Sequence, residues 1–422
     1  MKPKLRIENV FKIFGERPEE ALKALEQGKS KLEILEETGQ TVGVKGVSFE
    51  VNEGEIFVVM GLSGSGKSTL VRMLNGLIPA TSGRILIDNE DVTRCSAERL
   101  RNIRRNKIAM VFQHFALFPH KTVLENVAYG LKIKGEVAHR RREKALKALE
   151  QVGLAAYADS MPGELSGGMQ QRVGLARGLA TDPEILLMDE PFSALDPLIR
   201  REMQEELLHL QKVLNKTIIF ITHDLNEALL LGDKIAIMKD GAFVQVGTAQ
   251  EIVDRPADEY VAAFVADVDR GRVFQASHVA GRPVTVEQSE IGAAEKALQL
   301  MEKHNRNALY VVDKGKVAGV VAYQELAVAA REEGRTDLKE VMVTDVPVVH
   351  PETPLNELYA AASAGYPIAM TDSHGRLVGV IEVEAVFSQL SGCASENGAT
   401  SGNECASQAK TQGSQDRNVQ PR

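Results

Sequence analysis

The stretch GLSGSGKST, Gly61 to Thr69, follows the apolar run Ile56 to Met60 and leads into the helix-forming run Leu70 to Leu77. Gly61, Gly66, Lys67 and Ser68 stand at the offsets of the pattern G-x-x-x-x-G-K-[ST]. A chain leaving a strand here has to turn sharply with its N–H groups facing inward, which glycine permits because it has no Cβ to clash. Those amides and the N-terminus of the following helix make a site for an anion. Lys67 is placed to reach the β and γ phosphates of a nucleoside triphosphate, and the Ser68 hydroxyl to ligate magnesium.

Working outward, strands and helices alternate from Ile56 to Met238, which predicts a doubly wound α/β sheet. The unbroken apolar runs Ile185 to Met188 and Ile218 to Ile221 suit parallel strands buried on both faces. Active groups of such sheets gather at the carboxyl ends of the strands, where Gly61, Gln113, Asp189 and His223 all fall. Glu190 follows Asp189, and SALD, Ser193 to Asp196, comes next in a turn. A second glycine-rich turn, LSGGMQQ from Leu165, opens a helix predicted over Arg172 to Ala180 and is a further potential phosphate site. Upstream, Leu5 to Val10 and Val44 to Val51 alternate as half-buried strands. Between them Glu16 to Gly39 predicts two short helices, with Pro18 at a first turn, a capping box at Ser30 and Glu33, and a stop at Gly39.

With 422 residues the chain predicts two or three domains, and 44% hydrophobic with 26% charged residues describes an ordinary globular protein. A net charge of -8 speaks against a nucleic-acid partner or an anionic membrane surface. Cys95, Cys393 and Cys405 have neither metal nor disulfide spacing and suit a reducing cytoplasm. No apolar run approaches the ~20 residues that span a bilayer, and the opening MKPKLRIENV predicts no signal peptide. Any membrane role is therefore expected to run through a partner.

Taken in order, the phosphate loop, Gln113, LSGGMQQ, LLMDEP, SALD and His223 resemble the full motif set of an ATP-binding-cassette (ABC) ATPase over about residues 5–265. The resemblance implies a P-loop NTPase fold with a helical subdomain near 114–180 and a helical insert at 16–41. It assigns nucleotide contact to Phe14, Gly61, Ser63, Gly64, Gly66, Lys67, Ser68, Thr69, Gln113, Ser166, Gly167, Gly168 and Asp196. Magnesium falls to Ser68, Gln113 and Asp189, and the chemistry to Glu190 as base with His223, Lys67 and Gln113. Hard oxygen ligands suit that ion, and a carboxylate one residue past Asp189 suits a base that polarises water. Phe14 occupies the place of an aromatic that stacks on adenine. One cassette per chain implies a head-to-tail homodimer, in which Ser166 and Gly168 of one copy close over ATP held by the other. Phe115, Leu117 and Phe118, in the loop after Gln113, are expected to offer an apolar groove to a membrane-spanning permease subunit, with some of them closing the helical subdomain's own core instead.

From Val284 the chain repeats itself: Lys314 to Val321 matches His374 to Ile381, with 60 residues between Gly319 and Gly379. This resembles a tandem CBS pair, α+β and regulatory, expected over 278–390 after a linker at 266–277. Nucleotide-binding copies carry Thr or Ser and then Asp after the glycine-led strand, whereas here Ala322 and Glu325, then Glu382 and Ala385, stand there. The tail 391–422, rich in Gly, Ser, Gln and Asn, is expected to be disordered. Insert, single cassette and CBS pair together resemble the ATP-binding subunits of glycine betaine/proline betaine osmoprotectant importers, bound peripherally at the cytoplasmic face of the plasma membrane and served by an extracytoplasmic binding protein. An importer of methionine or another amino acid is the alternative. A soluble ABC protein of translation or repair needs two cassettes or a long coiled coil, and neither is present.

Overall fold

A computed structural model describes residues 3–113, 115–333 and 337–391. His114, in the expected groove loop, and residues 392–422 of the expected tail lie outside the described residues. The chain divides into two compact units, Met1–Val268 and Asp269–Arg422.

Six strands form the central sheet of the first unit, in the spatial order Ala242–Gly247, Lys234–Lys239, Ile56–Met60, Thr217–Thr222, Ile185–Asp189, Ile108–Phe112. All neighbours are parallel except the edge hairpin of Lys234–Lys239 with Ala242–Gly247. Every residue of Ile56–Met60, Ile185–Asp189 and Thr217–Thr222 is buried, as parallel strands covered on both faces have to be. Register matters more than composition here. Met60 pairs with Thr222, Asp189 with Ile221 and Phe112 with Asp189, so the four strands end level.

A second, antiparallel sheet runs Thr41–Asn52, Pro3–Phe14, Ser82–Ile87, Glu90–Asp91. Leu5, Val44 and Ile85 of this sheet share one core with Phe57 and Ile219 of the other and with Leu70 of the helix Lys67–Leu74. That helix is thus clamped between two layers, which fixes its N-terminus in space. The insert is the pair Pro18–Glu26 and Lys31–Thr38. Ser30 and Glu33 cap each other's backbone, Gly39 stops the second helix at φ 66°, and Ala21, Leu25 and Ile34 pack on Ile13 and Val42. Helices Val123–Ile133, Ala138–Gln151 and Gly167–Leu179 make the helical subdomain.

The second unit holds two three-stranded sheets of the same design, Thr285–Glu287, Ala308–Asp313, Lys316–Ala322 and Val348–Val349, Ile368–Thr371, Leu377–Ile381. Each joins a parallel pair to an antiparallel hairpin, so the 60-residue sequence period is a repeat of structure. Tyr310 and Val320 of the first copy share a core with Ala369 of the second, and the buried Tyr310 hydroxyl donates to the Pro367 carbonyl. Burial pushes the Tyr310 phenol up to about 12. At the position where a ribose-binding hydroxyl is usual, Glu382 forms an ion pair with Arg306.

The stretch read as a linker, 266–277, is taken up by the second unit from Asp269 onward. Arg270–Val273 is helical, Phe274 is buried, and its carbonyl accepts from the Leu355 amide at 2.9 Å. An apolar ring with a partner to pack on does not stay in a flexible connection.

Candidate active site

Gly66 carries the turn at φ +108°, and a Cβ there would lie 2.3 Å from the Gly43 carbonyl oxygen. Only glycine can occupy it. Lys67 starts the helix and is buried, its Nζ donating to the carbonyls of Gly61 at 2.8 Å and Leu62 at 3.0 Å. Burial pushes the Lys67 ammonium below the ordinary lysine value, with Glu190 and Asp189 pulling the other way. Next to it the Ser68 hydroxyl donates to Asp189 Oδ1 at 3.0 Å. Burial pushes the Asp189 carboxyl up, and the bond from Ser68 opposes that shift.

Glu190 leaves the strand end with φ +47°, in the left-handed region that a glutamate seldom occupies. Its amide donates to the Ile221 carbonyl at 3.0 Å, which holds the turn. One carboxylate oxygen lies 3.9 Å from Lys67 Nζ and the other 2.9 Å from His223 Nδ1. Gln113 follows Phe112, the strand partner of Asp189. The level strand ends therefore bring Lys67, Ser68, Asp189, Glu190 and His223 into one row, with Gln113 at its side.

Phe14 is 40% exposed, unlike Phe49, the buried phenylalanine of its sheet. A Cβ on Gly43 would lie 2.8 Å from the Phe14 ring and 3.4 Å from Thr69, so the ring rests on a bare patch of backbone beside the phosphate loop. Sequence reasoning missed Gly43. The one available signal was a glycine inside the strand-like run Thr41 to Asn52, which marks close approach of another backbone. It also missed Ser65, whose buried hydroxyl has no hydrogen-bond partner within the loop.

One expectation needs correction. The helix after LSGGMQQ begins at Gly167, five residues before the expected Arg172, because Ser166 is its N-cap and accepts from Met169 N at 3.3 Å. Gly168 is thereby inside the first turn, where a Cβ would lie 2.4 Å from Ile199. Asp196 likewise caps the helix Pro197–Leu214, accepting from Ile199 N at 3.1 Å. Among the described residues no hydrogen bond links Ser166, Gly167 or Gly168 to the phosphate loop. In the expected groove, Phe118 packs on Tyr129 at 4.6 Å between ring centres and its backbone is held by the buried Asn126. Phe115, Leu117 and Phe118 are all half-buried, so part of this apolar surface serves the subdomain's own packing.

A magnesium ion fits this donor set. Ser68 and Asp189 converge as hard oxygen donors, Lys67 supplies charge for phosphates, and the unpartnered Ser65 hydroxyl lies in the loop.

The sequence profile of the ABC transporter family matches residues 44–193, and that of the CBS domain matches 279–332 and 338–392. The glycine betaine transport ATP-binding protein OpuAA of Bacillus subtilis is 50% identical over 391 residues, 92% of this chain and 93% of that one. This chain belongs to the ABC transporter family. Its cassette is an ABC ATPase. The glycine betaine/proline betaine transport system ATP-binding protein ProV of Escherichia coli is 51% identical over 90% of this chain and 95% of its own. Among solved structures, the dimeric structure of MJ0796, a bacterial ABC transporter cassette, matches at a TM-score of 0.50 with 34% identity, covering 58% of this chain and 98% of that one. The structure of cbiO1 from Clostridium perfringens, part of the ABC transporter complex cbiONQ, matches at a TM-score of 0.51 with 28% identity, covering 61% of this chain and 93% of that one.

Proposed function

We propose that this chain is the ATP-hydrolysing subunit of an importer for glycine betaine, proline betaine and related osmoprotectants, acting through membrane-spanning permease subunits. The observation that carries it is a complete catalytic row at the strand ends in a chain that matches named betaine-transport ATP-binding proteins along nine-tenths of its length. The chain would sit peripherally at the cytoplasmic face, held by those permease subunits; among the described residues no helix is long and apolar enough to cross a membrane. An extracytoplasmic binding protein would deliver the cargo, and the CBS pair would regulate the cycle.

Hydrolysis follows from the row. The Lys67 ammonium exchanges the Gly61 and Leu62 carbonyls for β and γ phosphate oxygens, and the amides of the loop take up the rest of the phosphate charge. Ser68 and Asp189, with Gln113, would hold magnesium. When bound, that ion neutralises charge on the β and γ phosphates. Glu190 takes the proton of the water that attacks the γ phosphorus, while the bond from that phosphorus to the β-γ bridging oxygen breaks and ADP leaves with the electron pair. His223 donates from Nδ1 to the Glu190 carboxylate, which fixes the carboxylate's direction; as an imidazolium it also donates from Nε2 to the γ phosphate. In a head-to-tail homodimer, Ser166 and Gly168 of the second copy cover the nucleotide and exclude bulk water.

The exposed Phe14 ring is the adenine platform. Phe14→Ala is expected to weaken ATP binding by about 1 kcal/mol, roughly fivefold, with little change in turnover at saturation. Titration with a fluorescent ATP analogue checks this, and an unaltered affinity removes the platform. The function as a whole is tested in vesicles holding the permease subunits, with this chain and ATP inside. Labelled glycine betaine should accumulate only with ATP and the binding protein, and uptake of an amino acid in its place would replace the substrate assignment.

A further inference from the structure

We propose that Arg200 is a positioning residue that ties His223 to the SALD turn; the proposal rests on the ATPase roles assigned above to Glu190 and His223. Arg200 stands one turn into the helix Pro197–Leu214. Its Nη2 donates to the Leu195 carbonyl at 3.1 Å, inside SALD, and its Nη1 to Asp224 Oδ2 at 3.5 Å. Its Nε is buried, lies 4.0 Å from Glu227 Oε1 and makes no hydrogen bond.

The two carboxylates that face Arg200, Asp224 and Glu227, both follow His223 in the chain. Asp224 follows it directly and accepts from Asn226 N at 2.8 Å through the other oxygen. Thr222 precedes it, and its hydroxyl donates to the buried Glu227 Oε2 at 2.5 Å while accepting from Asp224 N at 3.0 Å. Gln204 donates to Glu227 Oε1 at 3.1 Å, which anchors the carboxylate to the Arg200 helix itself. Both backbone neighbours of His223 thus belong to one network, and Arg200 is its link to Leu195. The imidazole is itself 54% exposed and held at Nδ1 by Glu190, so its place depends on that backbone.

A guanidinium reaches a carbonyl and two carboxylates at once because its donors diverge in a plane, whereas a lysine has one point of charge. The idle Nε gives the fork a second arrangement. A shift of the turn that withdraws the Leu195 carbonyl leaves the guanidinium free to close on Glu227, and Thr222 to Asp224 move with it. The turn that follows the catalytic Glu190 and the strand end that carries His223 are in this way kept in step.

The test uses the full-length chain. Arg200→Met is expected to lower kcat about 10- to 100-fold with the ATP dissociation constant within about twofold, and Arg200→Lys to recover part of the loss. Asp224→Asn keeps the cap on Asn226 but removes the charge facing Arg200; it is expected to lower kcat about 3- to 10-fold and serves if Arg200→Met does not fold. The deciding measurement is a double-mutant cycle with His223→Ala. In that background either change should lower the remaining rate less than about twofold, because its effect travels through His223. A loss of equal size in both backgrounds, or one confined to ATP affinity or melting temperature, overturns the proposal. A His223→Ala rate equal to the parent's instead removes His223 from the reaction, and the proposal falls with it.

Discussion

Glu190→Gln is expected to bind ATP within about twofold of the parent and to lose turnover by about 10²- to 10⁴-fold, the contribution of a positioned general base. The amide matches the carboxylate in shape and still offers an oxygen to His223 Nδ1, which lies 2.9 Å away. What it cannot do is take a proton from water. The nucleotide then stays intact, and a dimer that opens only after hydrolysis accumulates closed. Rapid-quench hydrolysis with labelled ATP and size-exclusion chromatography at saturating nucleotide report the two effects separately. Turnover within tenfold of the parent would assign the base elsewhere.

Lys67→Met is expected to weaken ATP binding by about 2–5 kcal/mol, the range for removing one partner of a desolvated charge pair, which is 30-fold or more. Methionine keeps the unbranched apolar stem that runs through this buried position, so the damage falls on the charge. Burial already disfavours the ammonium here, and the carboxylates of Glu190 and Asp189 offset part of that cost. The nucleotide-free variant should therefore melt within a few degrees of the parent while calorimetry with ATP shows little heat. Full ATP affinity in a folded Lys67→Met protein would mean that the loop amides alone bind the phosphates.

Much of the site was legible because its elements are local. A glycine turn with Lys67 and Ser68 at fixed offsets, an apolar strand ending in Asp189 and Glu190, and a strand delivering His223 each declare themselves within ten residues of chain. Their meeting follows from a parallel sheet whose strands end level, and that too follows from alternation of the elements. The insert helices were equally plain, since Ser30, Glu33 and Gly39 encode their own caps. What stayed hidden depends on contacts far apart in sequence. Gly43 matters only because the backbone of one sheet touches the loop of another. Arg200 reads as one more surface arginine on an amphipathic helix until Asp224 and Glu227 are folded against it. The early start of the Gly167 helix was obscured because two glycines argue against helix while the Ser166 cap argues for it, and the cap prevails. The tie between the stretch around Phe274 and the second unit was hidden in the same way, since the Leu355 amide that donates to the Phe274 carbonyl lies far along the chain.

The left-handed backbone at Glu190 sets two kinds of fitness against each other. A glycine would relax that twist and is expected to harden the chain against heat by about 1 kcal/mol, yet on the proposed role of Glu190 it would remove the base. Any engineering campaign that ranks variants by melting temperature alone will drift toward a sturdier but idle cassette. Residue 190 is where such a screen needs a catalytic counter-selection.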